Sequence, residues 1–74
     1  MAKREVGNTV YKVVEIVGTS TQSWEDAAKN AVETAGLKLR DLRVAEVVKT
    51  DMTVKDGKVQ TYRTRVSLSF KYGS

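Results

Sequence analysis

Hydrophobic and polar residues change their spacing three times along this chain, and each change predicts a new element. From Val10 to Val17 apolar side chains occur at both parities, with Tyr11, Val13 and Val17 on one side and Val10, Val14 and Ile16 on the other. This is the pattern of a strand covered on both faces. Gly18-Thr19-Ser20 punctuates it. Trp24, Ala27, Ala28, Ala31, Val32, Ala35 and Leu39 then follow the spacing of a single helical face, entered through Ser23 as N-cap with Asp26 three residues on. The alanines let a sheet approach closely, so this face is expected to pack on strands. Gly36 marks the end of the helix or its fraying last turn.

From about Leu42 to Val54 and again from Val59 to Tyr72 the period becomes two, with Asp56-Gly57 between as the hairpin signal. An uninterrupted period puts Leu42, Val44, Val48, Met52 and Val54 on one face of the first of these strands. Tyr62, Val66, Leu68, Phe70 and Tyr72 share one face of the second. These faces are expected to meet the helix. The opposite face then carries Arg43, Lys49, Asp51, Thr53, Thr61, Arg63, Arg65, Ser67, Ser69 and Lys71. The fold class predicted is α+β, in the order β-α-β-β, with a three-stranded antiparallel sheet packed on one helix. Residues 10–72 form the domain, 1–9 a leader that is flexible or extends the first strand, and 73–74 a tail.

Composition narrows the function. At 74 residues, without cysteine, histidine or proline, the chain is small for a stable core and has no disulfide or conventional zinc staple. A Ser-His-Asp triad is impossible, and no acid/base pair stands in a recognisable catalytic context, so no enzyme is expected. Copies of the chain itself are the remaining source of buried area, since one helix covers one side of a sheet and two strand edges stay open. The net charge of +4 is spread among alternating acids and bases without a basic block, which argues against nucleic acid. Apolar runs far below the roughly 20 residues of a membrane span, and the missing signal-peptide core, predict a cytoplasmic protein with no membrane partner.

The junction Val17-Gly18-Thr19-Ser20 into Ser23-Trp24-Glu25-Asp26-Ala27-Ala28 resembles the signature of the dodecins. Tyr11 to Ser20, Arg40-Asp41-Leu42-Arg43-Val44-Ala45-Glu46-Val47, Asp51-Met52 and Val66-Ser67-Leu68-Ser69-Phe70 fall in the same order as in that family. The resemblance implies a homododecamer built around trimers, a hollow shell that holds flavin (FMN or riboflavin) or another small ligand between subunits. Flavin-binding dodecins stack the ring on a Trp and read its edge with a Gln. Val44 and Arg63 stand at those positions here, with Glu46 beside them in the implied site, so weak flavin binding is expected. Thr21 replaces the usual Pro, and the long leader and terminal Gly73-Ser74 are features that engineering also leaves. The helix start, Arg43 to Val47, and Asp51-Met52 are similar to a branch described as calcium dodecins. For calcium the nearest oxygen-rich cluster is Thr19, Ser20, Glu25 and Asp26, although acids in a first helical turn also serve the helix dipole. A ligand-storage shell is therefore the first expectation, and a metal-storage or purely structural cage the alternative.

Overall fold

A computed structural model describes residues 9–72; the leader as far as Asn8 and the Gly73-Ser74 tail lie outside the described residues. Strand β1 (Tyr11–Ser20) leads into helix α1 (Trp24–Gly36), followed by β2 (Leu42–Lys55) and β3 (Lys58–Lys71). The sheet order is β1-β3-β2 and both pairings are antiparallel. The predicted α+β class and element order hold.

Local chemistry explains each boundary. Ser23 is the N-cap, its extended backbone leaving the side chain to accept from the Asp26 backbone N–H at 2.9 Å. Asp26 does not reach back to complete a capping box. Its carboxylate instead accepts from the Ser20 hydroxyl at 2.7 Å, while the same Ser20 oxygen accepts from the Gln22 N–H at 2.8 Å and the Ser23 N–H at 3.5 Å. Ser20 is buried, and this relay satisfies it where strand becomes helix. At the hairpin, Asp56 and Gly57 have φ of 53° and 75°, the left-handed pair that a two-residue turn matched to strand twist demands.

The helix lies over β1 and β3 and barely reaches β2. Its approach depends on Gly18, where a Cβ would run into the Ala27 carbonyl and stand 2.8 Å from the Ala31 Cβ. The fully buried apolar set among the described residues is small: Ala27, Ala31, Val66 and Leu68. Val14, Ile16, Ala28, Val32, Ala35, Leu39 and Leu42 pack around its edge.

The expected face of β2 needs correction. Register shifts fall between Leu42 and Val44, between Val47 and Lys49, and between Thr53 and Val54. Each of the first two inserts an extra residue in β2, and because side chains alternate with period two, each insertion exchanges the faces. Leu42, Ala45, Val47, Thr50 and Met52 pair with Phe70, Leu68, Val66, Thr64 and Tyr62 of β3 and so lie on the helix side. Val44 pairs with Ser69 and faces away from the helix; Val48 is the extra residue of the second bulge.

Candidate functional site

The sheet surface turned away from α1 is read in rows, because antiparallel partners share a face. Val13, Ser69 and Val44 form one row, and Glu15, Ser67 and Glu46 the next. Val17, Arg65 and Lys49 follow, then Thr19, Arg63 and Asp51. Apolar side chains at one end therefore give way to a charged ladder towards the hairpin. Val13, Val17 and Val44 are exposed in the single chain.

Two ion pairs organise the ladder. The Arg63 Nε donates to Asp51 Oδ1 at 2.7 Å and an Arg63 terminal nitrogen donates to Asp51 Oδ2 at 2.8 Å, a two-pronged grip between neighbouring strands. Arg65 approaches Glu15 at 3.5 Å. The hydrogen bonds from Arg63 hold the Asp51 carboxyl below the ordinary carboxylate range; partial desolvation opposes them, and the charges of Arg63, Lys49 and Arg65 reinforce them. Asp51 in turn holds Arg63 above its already high value.

Asp51 also links the two faces. Its carbonyl accepts from the Trp24 indole N–H at 2.9 Å on the helix side. Trp24 packs edge-on against Tyr62, ring centroids 5.1 Å apart at 73°, and its own carbonyl accepts from the buried Thr64 hydroxyl at 2.9 Å. The indole thus fastens the start of α1 to β2 and β3, while remaining 37% exposed.

Val44 and Glu46 lie two positions apart on the face away from the helix. Arg63 lies on that face as well, but Val44 sits opposite Ser69, six positions along β3 from Arg63, roughly 20 Å at the rise of a strand. One chain does not bring the implied flavin positions together, and Arg63 spends its guanidinium on Asp51. Of Thr19, Ser20, Glu25 and Asp26, the structure brings the first two and Asp26 together through Ser20 and Asn30, and leaves Glu25 apart. The Thr19 carbonyl accepts from the Asn30 amide at 3.2 Å and Asp26 is engaged by Ser20, whereas Glu25 borders a groove on the β2 side of the helix. Among the described residues no group of three or more Asp, Glu, His or Cys side chains is close enough to hold a metal ion. Calcium takes about 6 to 8 oxygens, and among the described residues no carboxylate cluster supplies the greater part of them. The Asp51–Arg63 pair was not foreseen: alternation placed both on one face, but only the hairpin register makes them neighbours.

No helix among the described residues is long and apolar enough to cross a membrane. The family model for dodecins matches residues 10–73. Calcium dodecin of Mycobacterium tuberculosis is 48% identical over 63 residues, covering 85% of this chain and 89% of that protein. Its crystal structure, described as calcium chelating with a calcium-binding site, superposes with a TM-score of 0.77 at 49% identity, over 86% of this chain and 91% of that one. Dodecin from Streptomyces coelicolor superposes with a TM-score of 0.85 at 33% identity, over 93% of this chain and 99% of that one.

Proposed function

Because this chain belongs to the dodecin family, we propose that it is a non-enzymatic, homo-oligomeric shell, built from trimers into a dodecamer, that sequesters a small ligand or ion between its copies. The observation that carries this reading is the imbalance between core and surface. Among the described residues four small or medium apolar side chains are buried, while Tyr11, Val13, Val17, Val44, Val47, Val48 and Met52 are left open along the sheet. A monomer of this size has too little buried area to offset such exposure. Copies of the chain supply the missing cover.

For the cargo, the grip of Asp51 on Arg63 favours ion storage over flavin. A flavin edge would have to compete with a two-pronged carboxylate for the guanidinium, and Val44 offers no aromatic face. The kinship with a protein named calcium dodecin supports calcium as that ion. Since the described residues of one chain hold no carboxylate cluster, the ion is placed where copies meet. Light scattering combined with calcium titration calorimetry tests both parts. A large colourless assembly that takes up calcium is expected; a folded monomer contradicts the shell, and a yellow protein with bound flavin contradicts the ion.

A further inference from the structure

Leu37 is the most exposed large apolar side chain among the described residues, 84% open at the C-cap of α1. Lys38 follows it, also exposed and with no carboxylate partner among the described residues. At the other end of the helix a groove of about 470 Å³ opens towards β2, lined by Trp24, Glu25, Ala28, Val47, Thr50 and Thr64. Its walls are largely apolar. Glu25 on its rim is exposed and has no cationic partner among the described residues.

Knob and groove cannot meet within one chain. Ala28, the groove residue closest to Leu37 along α1, is still about 13 Å of helix away from it. We propose that Leu37 of one copy seats in the groove of a second copy, with its Lys38 against the partner's Glu25. The apolar lining suits a leucine side chain, and the acidic rim meets the base beside it. An acidic or nucleic-acid occupant would meet Glu25 with the wrong sign. The charge pair itself adds little affinity at an exposed rim but sets register and partner choice.

The contact is heterologous: every chain offers one knob and one groove, so the interaction passes from copy to copy until a rotation closes it. Closure after three copies gives a trimer. The inference rests on the self-assembly proposed above and assigns residues to it.

The test uses the full chain. Light scattering of the unaltered protein fixes the starting assembly. Leu37→Asp is expected to raise the concentration at which the assembly half-dissociates by about tenfold or more, the worth of one buried leucine. Circular dichroism should change little, because Leu37 is 84% exposed in its own chain. Because the chain has no cysteine, Leu37→Cys combined with Thr50→Cys puts thiols only at knob and groove, and mild oxidation is expected to give covalent trimers on a non-reducing gel. Covalent dimers from Leu37→Cys alone would mean a symmetric contact and overturn the proposal. So would an assembly that neither cross-links in the double variant nor responds to Leu37→Asp, and in that case the shell reading stands. A monomeric unaltered protein overturns the shell and the contact together.

Discussion

Gly18 of β1 and Ala27 of α1 meet backbone to backbone, with no room for a Cβ between them. The contact sets how deeply the helix sinks onto β1 and β3, and hence how Ala31 reaches Val66 and Leu68. Gly18→Ala pushes the helix outward by overpacking, and an expected loss of about 1 to 3 kcal/mol follows. Denaturant unfolding of the variant measures it. An unchanged midpoint would mean that the helix is not seated on this glycine.

The helix entry gives a graded series. Ser23→Ala removes the side-chain acceptor for the Asp26 N–H and is expected to cost about 1 kcal/mol. Trp24→Phe keeps a ring against Tyr62 but loses the bond to the Asp51 carbonyl, again about 1 kcal/mol. Trp24→Ala loses both; because the indole is partly exposed, the cost falls at or below the low end of the roughly 3 to 5 kcal/mol seen for buried aromatics. Thermal or urea unfolding followed by circular dichroism ranks the three. Equal costs for Trp24→Phe and Trp24→Ala would assign the whole effect to the indole N–H.

The Asp51–Arg63 pair predicts an acid dependence of defined sign. The folded carboxyl titrates below its ordinary value, so its contribution is fully present above the unfolded value of about 3.9 and is lost as pH falls through the depressed folded value. Asp51→Asn removes this dependence and flattens the acid limb of stability against pH. Carbon-detected NMR of the Asp51 carboxyl checks the origin directly. A midpoint at or above the ordinary value would contradict the pairing.

Flavin binding offers a test by restoration. Val44→Trp with Arg63→Gln supplies a stacking face and an amide that both donates and accepts. It also frees Asp51 from its partner. Fluorescence titration is expected to show weak flavin binding by the unaltered protein and quenching by the double variant. Tight binding by the unaltered protein would contradict the reading of Val44 and Arg63; no gain in the variant would place the obstacle in how copies surround the site.

Where alternation ran uninterrupted, the sequence was enough. The helix stripe from Trp24 to Ala35, the Ser23 cap, the Asp56-Gly57 turn and the face shared by Tyr62, Val66 and Leu68 were all legible, because each rests on a local rule of spacing or backbone conformation; Leu39, read as the end of the stripe, lies beyond the helix, which stops at Gly36. Val44 was placed on the wrong side, and Val48 was given a place in the alternation that it does not hold, because the extra residues of β2, Arg43 and Val48, carry no glycine or other local signature of a bulge. The Asp51–Arg63 contact was hidden for a related reason. A two-residue turn with unbroken register sets Asp51 opposite Tyr62, and the shift between Thr53 and Val54 moves it opposite Arg63. The flavin positions came from family likeness alone, and a single chain leaves Val44 and Arg63 far apart along the sheet.

Self-assembly is the central claim, since it accounts for the thin core, the open valines of the sheet and the separation of Val44 from Arg63. Sedimentation velocity on the unaltered protein at micromolar concentration tests it most directly. One sharp boundary at about twelve times the 8.2 kDa mass of a single chain is the predicted result for a closed shell. A folded species sedimenting at the mass of one chain would contradict it.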